Sequence, residues 1–237
     1  VKKGRKPIRP EMVKLMRNQL LEIFELLLSE FGPRNWWPAR TPFEVMVGAI
    51  LTQNTAWTNV EKAIRNLVGA DSLTPSAIAA LPPETLAKFI QPSGYFRQKA
   101  ERLQLFASYL MDQHDGDPNH LFKGSLENIR QELLARKGIG PETADSILLY
   151  AGHFPSFVVD AYTLRIFSRL GLLKGREKYE EVRSFFMNHL PEDSQLFNEY
   201  HALIVEHGKS FCKKRKPLCS ACPLGHRCAL ASHPPGP

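Results

Sequence analysis

The sequence predicts an all-α fold. Three observations carry this: apolar residues recur at helical spacing along nearly the whole chain, strand-like alternation is scarce, and Gly and Pro signals cut the middle into helix-sized pieces. Leu15, Met16, Leu20, Ile23, Phe24, Leu27 and Leu28 fall on one face of a long first helix, which Gly32-Pro33 stops. A second helix follows Pro42, and its apolar run from Phe43 to Leu51 reads as buried. Turn signals at Thr74-Pro75, Pro82-Pro83, Gln91 to Gly94, Asp115 to Pro118 and Gly138 to Pro141 predict helices of about 8 to 15 residues between them. No internal repeat or low-complexity segment interrupts this pattern. After Gly208 the composition turns to Cys, Lys and Pro, and Ser232 to Pro237 reads as a disordered tail.

At 237 residues the chain is long enough for one large domain or two modest ones. With 43% hydrophobic and 23% charged residues it reads as a packed fold, disordered only at its ends. Lys and Arg number 31 against 24 Asp and Glu, so the net charge of +7 favours a polyanionic partner such as a phosphate backbone. No apolar run approaches the roughly 18 residues of a membrane span, which argues against a membrane protein. The opening Val-Lys-Lys-Gly-Arg-Lys precedes Pro7 and Pro10 rather than an apolar stretch, and reads as a basic arm, not a secretory signal. A chain this large and helical does not need disulfides, so its four cysteines fit a reducing, cytoplasmic setting.

All four cysteines lie in one segment, Cys212-x6-Cys219-x2-Cys222-x5-Cys228. So compact a loop can wrap one cofactor with four thiolates, as a [4Fe-4S] cluster requires. Zinc is the structural rival, but zinc sites usually pair two short C-x2–4-C spacings and only Cys219 and Cys222 are so placed; two disulfides come third. The spacing resembles the cluster loop of the endonuclease III family, where the cluster is a structural and DNA-docking element rather than the catalyst. Lys213, Lys214, Arg215 and Lys216 lie between the first two ligands. Alone they would read as a solvated charge run; beside the cysteines they read as phosphate contacts.

Two amphipathic helices, marked by Leu126, Ile129, Leu133 and Leu134 and by Ala144, Ile147, Leu148 and Ala151, flank Lys137-Gly138-Ile139-Gly140-Pro141. This is a helix-hairpin-helix over about 126–151. Its glycines permit positive φ and close backbone approach, Pro141 suits the first helical turn, and N–H groups there can hold a phosphate without reading sequence. An ordinary αα turn is the plain alternative. Twenty residues beyond Gly140 comes Val158-Val159-Asp160-Ala161-Tyr162, opening a helix with Leu164 and Phe167 inward. An Asp there is by itself a helix cap. The G-x-G to V-D spacing nevertheless resembles the helix-hairpin-helix DNA glycosylases, in which the corresponding aspartate is essential. The resemblance implies that Asp160 stabilises oxocarbenium charge as an N-glycosidic bond breaks, and orients or deprotonates the attacking water. In endonuclease III a lysine two residues after the second hairpin glycine forms a Schiff base and cuts the strand. Glu142 stands there in this chain, which implies a monofunctional glycosylase. Lys137 precedes the hairpin and reads as a phosphate contact.

The segment Ala49 to Trp57 resembles the family's L-x-x-Q-x-T helix, which implies that Gln53 fills the gap left by a flipped base. Trp36-Trp37-Pro38, Trp57 and Gln91 to Tyr95, with the hairpin, resemble 3-methyladenine glycosylases of the MagIII type over about Trp36 to Lys209. A MagIII enzyme of this type lacks the cysteine loop, which this chain retains. Alkylated purines are cationic, and indole stacking favours a cation over a neutral base. Core packing is the other role for the tryptophans, and one of Trp36 and Trp37 is expected to take it. Lys209 matches a basic position common to both groups and reads as a phosphate contact, a support for Asp160, or a surface lysine.

The resemblance thus implies a two-lobed glycosylase fold. Residues 1–42, the basic arm and first helix, pack with a cluster lobe of 157–237 that carries Asp160 and the 212–228 loop; residues 43–156 form a helical-barrel lobe. Double-stranded DNA with a damaged base binds across the lobes of a nucleoid-associated monomer. Rival readings are a glycosylase for mismatched, uracil or oxidised bases, and a non-catalytic DNA-damage-binding protein. Mismatch enzymes usually carry a glutamate near the glutamine helix, and Glu44 is the nearest here.

Overall fold

The computed structural model describes residues 10–232 and contains helices, turns and no strand among them. The opening basic run and the chain's last five residues lie outside the described residues. Two compact units form: Trp37–Ser156, and a second that joins the chain before Trp37 to the chain from Phe157 onward.

The second unit is built on α1 (Pro10–Phe31), α9 (Ala161–Arg169), α10 (Tyr179–His189) and α11 (Ser194–Ser210). Its core is aromatic. Phe157 stacks on Phe186 at 4.0 Å, Phe167 meets Phe186 edge-on at 4.8 Å, and Phe24 packs on Tyr200 at 5.3 Å. The buried Tyr200 hydroxyl donates to Leu20 O at 2.7 Å, so the polar atom that Tyr200 carries into this core is satisfied. Leu20, Ile23 and Leu27 bury the inward face of α1. The sequence put Leu15 on that face as well, but Leu15 is 70% exposed, because the helix continues N-terminally past the apolar surface available to it.

In the other unit, α2 (Pro42–Leu51) is buried from Phe43 onward except at Glu44. Thr41 caps its start by accepting from Glu44 N at 3.1 Å, while the Glu44 carboxylate accepts from Arg40 N. Glu44 is therefore spent on a helix cap. Next come α3 (Trp57–Gly69), α4 (Pro75–Ala80), α5 (Pro83–Phe89), α6 (Phe96–His114), α7 (Leu126–Leu134) and α8 (Pro141–Ser146). Their lengths, from six residues in α4 to nineteen in α6, spread more widely than the turn signals suggested. Lys99 is only 1% exposed, and its ammonium donates to Leu51 O at 2.8 Å and Ser93 O at 2.7 Å, closing the end of α2 onto the Gln91–Ser93 turn. Burial lowers its pKa to about 8.

The hairpin joins α7 to α8. Gly138 adopts φ +87, and a Cβ there would lie 2.6 Å from the Arg102 stem, so both backbone conformation and space demand glycine. The second helix, expected to run unbroken, changes to a π-helical turn over Ile147–Ala151 that brings Tyr150 into the interior. A buried ion pair clamps the two helices: Arg130 Nε and Nη2 donate to the two oxygens of Asp145 at 2.8 and 3.0 Å, and Ser156 Oγ adds a third donor at 2.5 Å. Asp145 has no exposed side-chain surface. Arg130→Met leaves that anion without its principal counter-charge and is expected to destabilise the fold by about 3–5 kcal/mol. Urea denaturation measures it, and a loss below about 1 kcal/mol would contradict the clamp.

Candidate functional site

Asp160 occupies the N-cap of α9. Its Oδ1 accepts from Thr163 N at 2.7 Å and Thr163 Oγ1 at 2.9 Å, and the Asp160 N–H donates back to Thr163 Oγ1 at 3.5 Å, completing a capping box. Its Oδ2 lies 3.6 Å from Nε2 of His201 on α11, an ion-pair rather than hydrogen-bond distance. The side chains are 13% and 11% exposed. Burial pushes the Asp160 carboxyl up, but the facing His201 and the Thr163 donors outweigh it and hold the group below the ordinary carboxylate value. Behind the cap, Thr163, Ile166 and Phe167 are the inward residues; Leu164, expected there, is half-buried. The sequence did not single out His201. It lies on a different helix, and the one available signal was a polar residue within the apolar stretch Ala202-Leu203-Ile204-Val205 and its flank.

The four cysteines line one pocket of about 360 Å³, including space open to solvent, with Ile166, Leu170, Phe211, Leu224 and Leu230 among its apolar walls. Two arginines of α9 brace the loop. Arg165 Nε donates to Cys212 O at 2.9 Å, and Arg169 Nη1 donates to Cys212 Sγ at 3.2 Å and Lys213 O at 2.8 Å. His207 Nε2 lies 3.7 Å from Cys222 Sγ. Burial and the neighbouring thiols raise Cys222 to about 11, which disfavours a bare thiolate at that position. No set of three or more His, Cys, Asp or Glu among the described residues is placed to hold a single metal ion. Lys213, Lys214, Arg215 and Lys216 are all exposed.

In the unit Trp37–Ser156, Trp37 meets Trp57 edge-on at 4.8 Å and Tyr150 at 5.0 Å. Gly48 makes room for it, since a Cβ there would lie 2.9 Å from the Trp37 ring. Trp37 is thus fixed against α2, Trp57 and Tyr150, the last of which the sequence did not single out. Trp36 is half-buried in the other unit. Gln53, in the turn after α2, donates from Nε2 to Gly138 O at 2.9 Å and Thr143 Oγ1 at 3.0 Å, and its Oε1 accepts from Arg102. Of the hairpin residues, Lys137 is exposed and paired with Glu101 at 2.6 Å, Gly140 is exposed, and Glu142 is exposed in the first turn of α8. Ile139 differs: its side chain is buried and its N–H donates to Arg136 O at 3.1 Å, so it anchors the hairpin from within. Tyr95 is 69% exposed at φ +46, a backbone conformation uncommon for a residue other than glycine. Lys209 is exposed.

A hairpin built for backbone approach, a buried ionised carboxylate at a helix start and a four-thiol loop define a helical DNA-repair protein of the helix-hairpin-helix class. The family described as HhH-GPD superfamily base excision DNA repair protein matches residues 47–192, and the chain belongs to that superfamily. It is 46% identical to a candidate DNA repair glycosylase of Methanocaldococcus jannaschii, MJ1434, over 88% of this chain and 95% of that one. Among solved structures it is similar to endonuclease III in a non-covalent complex with DNA, with a TM-score of 0.79 and 25% identity, covering 91% of this chain and 96% of that one. It is also similar to the H. pylori 3-methyladenine DNA glycosylase MagIII bound to 1,N6-ethenoadenine, with a TM-score of 0.71 and 31% identity over 82% and 97% of the two chains. The protein is a DNA glycosylase of base excision repair, and DNA is its partner. No helix among the described residues is long and apolar enough to cross a membrane.

The Asp160 and His201 pair gives stability a defined acid dependence. The folded carboxyl titrates below its unfolded value of about 3.9, so the contribution is complete above that pH and is lost as pH falls through the folded value. His201→Gln removes a lowering contribution and is expected to move the acid-unfolding midpoint, followed by circular dichroism, to higher pH. An unmoved midpoint would mean that His201 does not hold the carboxylate.

Proposed function

We propose that the enzyme is a monofunctional glycosylase that releases cationic alkylated purines, 3-methyladenine in kind, from double-stranded DNA. The observation that carries the reading is the aromatic group of Trp37, Trp57 and Tyr150 on the unit that bears the hairpin. Electron-rich ring faces favour a positively charged base over a neutral one. Trp37 and Trp57 form the aromatic part of the base pocket, and Gln53 fills the gap in the duplex. Lys137, Gly138, Gly140 and Lys209 meet the phosphate backbone, with Ile139 anchoring the hairpin.

Asp160 serves the chemistry in two ways. Its anion stabilises the positive charge that develops on the sugar as the bond to the base breaks, and it orients and deprotonates the water that attacks the same carbon. The electrons of the broken bond leave with the base and neutralise its charge. Glu142 stands where a lyase would carry its amine; a carboxylate cannot form a Schiff base, so the strand stays intact. Among rival substrates, a mismatched base is disfavoured because Glu44 serves a helix cap.

Cys212, Cys219, Cys222 and Cys228 would hold a [4Fe-4S] cluster, to which the all-thiolate set, the apolar pocket and the Arg169 donor are suited. Bound there, the cluster supplies structure and a docking surface rather than catalysis. The protein purified without oxygen is expected to contain iron and sulfide in equal amounts, and Cys222→Ser to lose both; zinc in their place would overturn this assignment.

The activity is tested on duplex DNA carrying 3-methyladenine or 7-methylguanine, scoring free base and strand cleavage separately. Base release without cleavage is expected, with Asp160→Asn slower by about two to four orders of magnitude while still binding DNA. No release from either lesion would remove the alkylpurine reading, and cleavage would remove the monofunctional one.

A further inference from the structure

Gln53 follows the last turn of α2, where the Thr52 N–H donates to Gly48 O at 2.8 Å and the next residue, Asn54, turns through φ +56. A glutamine in such a turn would ordinarily sample many rotamers in water. Here both ends of its amide are engaged. Gly138 O can only accept and the Arg102 guanidinium can only donate, so the amide nitrogen must face the hairpin and the oxygen must face Arg102. Thr143 Oγ1 takes the second amide hydrogen at 3.0 Å.

Arg102, on α6, does more than supply a donor. Its Cγ and Cδ lie over Gly138, so close that a Cβ at that position would approach within 2.6 Å. The preceding residue, Glu101, pairs with Lys137 at 2.6 Å on the same hairpin. One turn of α6 therefore grips the hairpin at two points and the Gln53 side chain at a third, all within one compact unit.

We propose that Arg102 is a positioning residue that presets Gln53 for insertion into the duplex and ties its placement to the seating of the hairpin turn. This rests on the reading of Gln53 as the gap-filling residue. Gly138 is the pivot: its carbonyl holds Gln53 from one side, its missing side chain admits the Arg102 stem from the other, and its neighbours meet phosphate. Contact of the hairpin with the backbone and presentation of the wedge are thus set by the same small group of atoms. Immobilising one long side chain in advance corresponds to about three- to tenfold in the step it prepares.

The test uses a duplex with a tetrahydrofuran abasic analogue opposite 2-aminopurine, whose fluorescence reports filling of the gap whatever lesion the enzyme removes. With the duplex saturated by protein, Arg102→Leu is expected to lose most of the fluorescence change, and Arg102→Lys, which restores a donor and an apolar stem, to recover part of it. Excision of 7-methylguanine by Arg102→Leu should fall about three- to tenfold in duplex DNA. A wild-type fluorescence change in Arg102→Leu overturns the proposal. If Gln53→Ala also gives the wild-type change, the wedge reading itself fails. Independently of any variant folding, slow guanidinium rotation of Arg102 in nuclear magnetic resonance spectra of the wild-type protein is expected, and free rotation overturns the proposal.

Discussion

Asp160 is held as an anion while most of its surface is withdrawn from water, and the groups packed around it answer that constraint. An unpaired carboxylate in such a place would take up a proton. The demand is met locally by the two Thr163 donors on one oxygen, by the start of α9, whose dipole favours negative charge, and by His201 facing the other oxygen. Both helices that satisfy Asp160 also lead to the cysteines. Helix α9 carries Arg165 and Arg169, which hold Cys212 and the basic loop, and α11 runs from His201 to the residue before Phe211 and Cys212. A displacement of the loop is therefore felt on the same helices that aim the carboxylate.

The unit Trp37–Ser156 solves a different problem, which is to bring backbone and aromatic rings close to other groups without leaving voids. Glycine is used where a side chain would block an approach: Gly48 beneath Trp37 and Gly138 beneath Arg102. Cations are used where carbonyls or carboxylates would otherwise be buried alone. Lys99 collects two backbone carbonyls and Arg130 neutralises Asp145. Removing either cation would leave acceptors in a medium that cannot hydrate them, so these polar contacts specify the arrangement of helices more strictly than apolar packing alone would.

What the sequence disclosed, and what it did not, follows from how locally each feature is encoded. The cysteine loop, the hairpin glycines and the helix cap at Asp160 are legible because each depends on residue types at fixed short spacing. His201 lies forty-one residues beyond Asp160 and has no motif of its own. Lys99 and Arg102 belong to no motif, and only the fold places one in the core and the other against Gln53. Periodicity overstated the buried face of α1 at Leu15 because an apolar stripe does not say where its partner surface ends. The π-helical turn at Ile147–Ala151 was illegible for a related reason: a shift of one residue in hydrogen-bond register leaves the composition unchanged, yet it decides that Tyr150 meets Trp37.

The proposed substrate also accounts for the economy of the acid-base groups. Release of a neutral base requires that the departing nitrogen be protonated or otherwise stabilised, which calls for an acid on the base side of the sugar. A purine already alkylated at N3 or N7 departs as a neutral molecule and needs no such acid. The enzyme's task then reduces to holding the cation, supplying one anion to the sugar and delivering water. Aromatic faces and a single low-pKa carboxylate meet those requirements, and lowering that pKa is consistent with a group that acts as an anion rather than as a proton donor. On this view the exposed Glu142 matters chiefly because it is not an amine: by withholding a nucleophile, the position leaves water as the only group to complete the reaction, and the product remains an intact strand with one base missing.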